Sequence, residues 1–171
     1  MNALTMNQEL IWAAANDVLD LDSLSEHQES VLVDVACLLL TRRFKQQPTL
    51  IESPSAATRL AKTWLGLEPN EVFGVIYLDA GHCVIEMVKH FHGTVDSSHV
   101  HARPIMQKAL EINAVAVIFC HNHPSGRAEP SASDKAITNH LITVLKYVDV
   151  RVLDHLVVGE TVASMAGLGM M

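Results

Sequence analysis

The stretch that decides the fold lies in the middle of the chain, where residues 114–134 read AVAVIFCHNHPSGRAEPSASD. Its first third, residues 114–120, is a continuous apolar run of strand length, which predicts a central β-strand covered on both faces. The Pro, Gly and Ser residues that follow predict a loop, and Ser131 opens a predicted helix over residues 131–147. A loop that leaves the end of a buried strand is a common place for a ligand site.

Three side chains of this stretch are candidate metal ligands. In an extended chain His121 and His123 point to the same side, so that two imidazoles can reach one ion. Asp134 adds a carboxylate from the first turn of the next helix. Two nitrogens and one oxygen, with water in the fourth position, form the open tetrahedral site typical of catalytic zinc. Taken alone, Ser131 and Asp134 also fit an ordinary helix-capping pattern.

The rest of the chain predicts helices followed by an α/β domain. The predicted helices cover residues 8–19, 25–44, 53–65 and 103–112, and the further strands cover residues 72–78, 83–91 and 150–158. The resulting order, β-β-α-β-α-β, predicts a three-layer α/β domain. We therefore expect a helical appendage over residues 1–46 and a metal-binding domain over residues 50–171.

Composition restricts the classes of protein that fit. Hydrophobic residues make up 49% of the 171 residues and charged residues 18%, which suits a folded domain with a buried core. The apolar runs, among them residues 35–40 and 114–120, are far shorter than the roughly 20 residues of a membrane span. No secretory signal is visible, so we expect a cytoplasmic protein. The net charge of −7 argues against a broad surface for nucleic acid.

The loop and its surroundings are similar to known sequence motifs. His121-x-His123, then ten residues and Asp134, with Ser131 three before the aspartate, resembles the JAMM (MPN+) metalloprotease signature. The words GTVD at 93–96, HNHPSG at 121–126 and RVLDHLVVG at 151–159 resemble the RadC-like family. This resemblance implies a three-layer α/β/α JAMM/MPN-like domain with a mixed central sheet, and zinc-dependent hydrolysis of an amide or isopeptide bond.

The resemblance also implies roles for particular residues. His121, His123 and Asp134 would bind Zn²⁺, and Ser131 would help to hold the oxyanion. Relatives commonly carry a glutamate as general base at the position where this chain has Val88. The nearest upstream acid, Glu86, lies on the same strand face, and we predict that it is the base, with His90 as the next candidate.

The remaining histidines of this region are predicted to have no role as ligands. His90, His92, His99 and His101 are interpreted as residues at the rim of the site or on the surface. His155 follows an aspartate in a buried-looking strand, and we interpret it as a hydrogen-bonded histidine of the core or of the layer behind the ligands.

Three classes of function stay open at this point. The first is a zinc metallohydrolase that cleaves a peptide or a protein conjugate. The second is a metal-binding pseudoenzyme that has lost its base, an interpretation that Val88 favours. The third is an accessory protein of DNA repair, which only the name of the family favours. Metal content separates the first two classes from a scaffold without metal, and turnover separates the first class from the second. Salt-dependent DNA binding tests the third.

Overall fold

A mixed five-stranded sheet organises the domain that follows residue 44. Its strands are β1 (Val72–Leu78), β2 (Val84–His92), β3 (Ala116–Asn122), β4 (Arg151–Val158) and β5 (Val162–Ser164). The spatial order is β2-β1-β3-β4-β5, so β3 is the central strand. It pairs antiparallel with β1 and parallel with β4. The predicted mixed sheet with a central strand in this region is therefore confirmed.

Helices cover both faces of the sheet. The helices on the sheet are α2 (Pro54–Leu65), α3 (Ala102–Glu111) and α4 (Ala132–Lys146), and α1 (Glu26–Gln46) precedes them in the described part of the chain. Apolar side chains of α2 pack with one set of strand residues, and those of α3 and α4 pack with another set. Helix, sheet and helix thus form three layers, as the sequence predicts.

Alternation along β1 explains how one strand serves both layers. All seven of its residues are buried. Phe73 and Tyr77 belong to the apolar cluster on the side of α3 and α4, whereas Ile76 and Leu78 belong to the cluster on the side of α2. Because successive side chains of a strand point to opposite faces, an uninterrupted apolar sequence is what a strand between two helical layers requires.

The structure, a computed structural model, describes residues 25–46, 49–93 and 100–171. The chain divides into two compact units, Met1–Arg43 and Phe44–Met171. The predicted helix over residues 8–19 lies outside the described residues. Helix α1 begins as predicted at Ser25, whose hydroxyl and backbone N–H both donate to the side chain of Gln28. None of the described helices combines the length and apolarity that crossing a membrane requires.

The structure differs from the predicted elements in two places. Strand β3 continues through His121 and Asn122, because these residues still pair with β4 opposite Val157 and Val158. The first candidate ligand therefore lies within the sheet rather than in a loop. The chain after residue 158, where the sequence predicts no further element, contains the short strand β5, which pairs with the end of β4.

Gly74 provides a test of the packing between α2 and the sheet. A Cβ atom at Gly74 would lie 2.5 Å and 2.7 Å from ring atoms of Trp64, the penultimate residue of α2. We expect Gly74→Ala to lower the free energy of unfolding by about 1–3 kcal/mol, because the ring has to move out of a packed layer. Denaturant unfolding measures this change.

Gly81→Ala is the matched control. A Cβ atom at Gly81 would meet only a side-chain oxygen of Asp79, at the ordinary contact distance of 3.4 Å. Its free energy of unfolding should stay close to that of the wild type. A Gly74→Ala protein as stable as Gly81→Ala would contradict the packing of Trp64 on β1.

Candidate metal centre

The two histidines of the central loop stand on one face at the end of β3. His121 lies opposite Phe73 of β1 and is fully buried. His123 follows the last strand residue, and its backbone N–H donates to the carbonyl of Val158 at 2.8 Å. The strand hydrogen bonding thus continues to His123, so both imidazoles project from the same side, as their spacing predicts.

The loop after His123 folds back against the end of β4. Gly126 has a φ of +81°, a conformation that suits glycine, and its carbonyl accepts the N–H of Glu160 at 2.7 Å. A Cβ atom at Gly159 would lie 2.3 Å from the same carbonyl, so only glycine permits this close approach. The folded loop brings the carbonyl of Arg127 to 2.7 Å from Nδ1 of His123.

Asp134 reaches the histidines from the first turn of α4. Ser131 caps this helix: its hydroxyl accepts the N–H of Asp134, and Asp134 Oδ2 accepts the N–H of Ser131. Asp134 Oδ1 lies 3.3 Å from Nε2 of His121, and Oδ2 lies 3.8 Å from Nε2 of His123. The Asp134 carboxylate therefore caps α4 and also lies beside both histidines.

The environment keeps the Asp134 carboxyl ionised. Burial by itself raises the pKa of this carboxyl, but the neighbouring His121 and the hydrogen bonds from Ser131 outweigh burial and hold the pKa well below its ordinary value. The group therefore offers a carboxylate oxygen, rather than a protonated acid, to the centre between the two imidazoles.

A buried chain of hydrogen bonds lies behind His121. Thr138 Oγ1 lies 2.5 Å from the carbonyl of Asp134 and 2.5 Å from Nδ1 of His155. His155 Nε2 in turn lies 2.8 Å from Nδ1 of His121. Burial lowers the pKa of His155 well below its ordinary value, and neighbouring His121 and His123 lower it further against the opposing effect of Asp134. His155 is therefore neutral.

This chain of contacts fixes which nitrogen of each ring carries hydrogen. The Thr138 hydroxyl has a single hydrogen, which goes to the Asp134 carbonyl at 2.5 Å because that carbonyl can only accept. It must then accept from Nδ1 of His155, which leaves Nε2 of His155 to accept from Nδ1 of His121. Nε2 of His121 consequently directs a lone pair toward the site.

His123 is held in the same state by its own partner. Its Nδ1 lies against the Arg127 carbonyl, which can only accept, so Nδ1 carries the hydrogen and Nε2 carries the lone pair. The two Nε2 atoms of His121 and His123 are only 2.9 Å apart. Two lone pairs at that distance, next to a carboxylate, repel one another unless a cation lies between them.

Glu71 brings a second carboxylate to this centre. Its ligand atoms and those of His121 and His123 all lie within 4.8 Å of one another. The cause is the register of β1 and β3: Phe73 pairs with His121, so two residues further along Glu71 comes opposite His123. The sequence interpretation missed Glu71; the available signal was an acid placed immediately before a fully apolar strand.

The structure does not bring Glu86 to this centre. Glu86 pairs with Tyr77, four residues along β1 from Phe73, a separation of about 13 Å. Its carboxylate pairs instead with Lys108 of α3 at 2.9 Å. The two bulges of β2 fall on either side of this region, so neither moves Glu86 to the position of Val88. The prediction that Glu86 is the base is therefore corrected.

Val88 and His90 also have other surroundings. Val88 pairs with Val75 and packs on the apolar cluster of α3 and α4. His90 lies 2.6 Å from the hydroxyl of Tyr77 through Nε2, and burial, followed by the charge of Lys108, lowers its pKa despite Glu86. Of the other predicted rim histidines, His99 lies outside the described residues.

Fold and centre together define a class: a JAB/MPN-like α/β domain in which a His/Glu cluster could hold a metal ion. A family profile described as the RadC-like JAB domain matches residues 51–170. The chain belongs to this RadC-like JAB domain family. The resemblance noted in the sequence is thereby confirmed.

Relatives with the name UPF0758 protein are similar over most of the chain. One from Stutzerimonas stutzeri is 41% identical over 89% of this chain and 72% of its own length. One from Vibrio cholerae is 41% identical over 84% of this chain and 90% of its own length. One from Azotobacter vinelandii is 48% identical over 71% of this chain, which spans about half of that relative, 54%.

Substitution of Thr138 tests the hydrogen-bond chain behind His121. Thr138→Val keeps the shape of the side chain but leaves Nδ1–H of His155 without its acceptor, which costs about 1–3 kcal/mol in a buried site. Thr138→Ser keeps the hydroxyl and should retain most of this stability. Denaturant unfolding measures the difference, and equal stability of the two variants would contradict a stabilising hydrogen bond between Thr138 and His155.

Proposed function

We propose that this chain is a zinc-dependent hydrolase that cleaves an amide or isopeptide bond. The observation that carries the proposal is the pair of Nε2 lone pairs 2.9 Å apart, beside the carboxylate of Asp134. This arrangement needs a cation, and the hydrogen bonds on both Nδ1 atoms prepare the rings to bind one.

The donor atoms fit a tetrahedral zinc site. Zinc bonds of about 2.0–2.1 Å place tetrahedral ligand atoms roughly 3.3–3.4 Å apart. The observed separations, 2.9 Å between the imidazole nitrogens and 3.3 Å and 3.8 Å to the oxygens of Asp134, lie around this value. We assign Asp134 as the third ligand, because its oxygens lie 3.3 Å and 3.8 Å from the two imidazole nitrogens and its lowered pKa keeps it charged. Zinc in such a site lowers the pKa of a water ligand to about 7 and polarises a carbonyl.

Glu71 is the carboxylate that we assign as general base. It stands beside both histidines, with its ligand atom within 4.8 Å of theirs, close enough to share a water molecule with the centre. From there it accepts the proton of the attacking water and passes it to the leaving nitrogen. If Glu71 is the base, valine at position 88 does not mean that the base has been lost. Val88 then no longer favours a pseudoenzyme.

Ser131 and the surface beside His123 support an amide-type substrate. The Ser131 hydroxyl accepts the Asp134 N–H, so its own hydrogen can be donated to a developing oxyanion. A groove next to His123 is lined by the apolar Leu67, Pro69 and Pro124 and by the charged Lys62, Glu68 and Glu160. An extended peptide or the tail of a protein conjugate fits an open groove of this kind.

The remaining parts of the proposal rest on composition. The acidic net charge of −7 favours a protein substrate over nucleic acid. We also propose a cytoplasmic location, since Cys83 and Cys120 are unoxidised thiols in the described structure.

Metal content tests the ligand assignment without any substrate. Protein purified without chelator should contain about one zinc per chain, because three protein ligands and one open position form a single site. His123→Ala should lose most of this zinc, whereas His140→Ala, a change at an exposed histidine of α4, should keep it. Full zinc occupancy after replacement of both His121 and His123 would end the assignment.

Separate replacement of Glu71 and of Glu86 tests which glutamate is the general base. Glu71→Gln should keep its zinc but lose about 10²- to 10⁴-fold in turnover, since the amide cannot accept the proton. Glu86→Gln is the control, and it should retain wild-type turnover because Glu86 pairs with Lys108 away from the centre.

Both variants are measured on quenched fluorescent substrates, one with a peptide bond and one with a lysine isopeptide bond. An inactive Glu86→Gln beside a fully active Glu71→Gln would reverse the assignment. A zinc-loaded wild type that cleaves no substrate of either kind would favour the pseudoenzyme.

A further inference from the structure

Asn122 separates the two histidines of the centre and points away from them. In β3 the side chains of Ile118 and Cys120 belong to the cluster on the side of α2, and Asn122 continues this series. It is 3% exposed, so its amide has to find partners inside the protein. The proposed function does not use this side chain.

The Asn122 amide is fully engaged with the segment that leads into β1. Its Oδ1 accepts the backbone N–H of Val72 at 2.8 Å. Its Nδ2 donates to the carbonyl of Glu68 at 3.1 Å and to the carbonyl of Asn70 at 3.0 Å. The partners fix the orientation of the amide, because an N–H can only donate and a carbonyl can only accept.

These three bonds enclose Glu71. The carbonyl of the residue before it and the N–H of the residue after it are both held by one side chain of β3. The neighbours of that side chain along β3 are His121 and His123. One residue therefore ties the backbone of Glu71 to the strand that carries the histidines.

We propose that Asn122 is a positioning residue that holds Glu71 at the working distance from the metal centre. The inference rests on the proposed function, in which Glu71 is the base. Asn122 acts through Glu71, because its own amide lies on the α2 side of the sheet and faces the backbone of residues 68–72.

Other contacts hold the same segment, so loss of the Asn122 amide should displace Glu71 without unfolding the domain. Lys89 forms an ion pair with Glu68, and the N–H of Gly93 donates to the Glu71 carbonyl at 2.9 Å. These anchors lie on β2 and at its end. Asn122, by contrast, ties the backbone of the segment to the histidine-bearing strand.

The most selective change is Asn122→Asp, which keeps the shape and the acceptor for Val72. It replaces the Nδ2 donor with an oxygen that faces the two carbonyls of Glu68 and Asn70, so the segment has to move. Asn139→Asp is the matched control, because it makes the same chemical change at an exposed position of α4.

The first measurement needs no substrate. In the full chain loaded with Co²⁺ in place of Zn²⁺, paramagnetic NMR shifts report the position of the Glu71 side chain relative to the metal. Asn122→Asp should change the Glu71 shifts and leave those of the His121 and His123 rings as in the wild type. Unchanged Glu71 shifts in Asn122→Asp would overturn the proposal.

The second measurement is turnover of the isopeptide substrate by the zinc-loaded protein. Asn122→Asp should lower kcat about 10- to 100-fold with little change in KM or in zinc content, as expected for a residue that supports another. Combined with Glu71→Gln it should add nothing to the loss caused by Glu71→Gln alone. Fully additive losses would overturn the proposal.

The two arms separate this inference from the proposed function. In one outcome, Asn122→Asp changes the Glu71 shifts in the cobalt experiment as expected, but the wild type cleaves no substrate. This outcome would contradict the hydrolase and leave Asn122 as the positioning residue of Glu71. In the other outcome, the wild type cleaves its substrate and Glu71 keeps its position in Asn122→Asp. This outcome would contradict only the positioning role of Asn122.

Discussion

Two imidazole nitrogens held 2.9 Å apart with their lone pairs facing each other are the constraint on which the rest of the site depends. Without a cation, neither the buried His121 nor the neighbouring carboxylate of Asp134 could stay in this arrangement at low cost. The protein nevertheless commits both Nδ1 atoms to acceptors, the Arg127 carbonyl and His155. The hydrogen bonding of the protein thus turns the lone pair of each neutral ring toward the centre.

The sheet assembles this centre from distant parts of the chain. Strand β3 and the residue after its end supply the histidines. The loop that packs against Gly159 holds His123 through the Arg127 carbonyl. Helix α4 supplies Asp134 and also Thr138 of the hydrogen-bond chain. Pairing with β1 adds Glu71 from the neighbouring strand. Because these contributors are rigid elements around a buried strand, a small shift of one of them changes the geometry of the whole centre.

The sequence could predict what is local and could not predict what depends on register. His121, His123 and Asp134 belong to one strand-loop-helix unit, so their spacing alone brings them together. Glu71 lies fifty residues before His121, and only the pairing of Phe73 with His121 brings it to the centre. The prediction of Glu86 rests on spacing within one strand. Such spacing cannot reveal that Glu86 pairs with Lys108, away from the histidines. Strand β5 has only three residues between glycine-containing segments, too few for a periodic pattern.

The most direct test of the central claim is a crystal structure of zinc-loaded protein with anomalous data collected on both sides of the zinc absorption edge. The account predicts one strong anomalous peak bonded to Nε2 of His121, Nε2 of His123 and a carboxylate oxygen of Asp134, at about 2.0–2.2 Å from each. The Glu71 carboxylate should lie next to the peak without bonding to it. A fully metal-free centre in which a proton joins the two imidazoles, at a zinc concentration that saturates other zinc sites of this kind, would contradict the account.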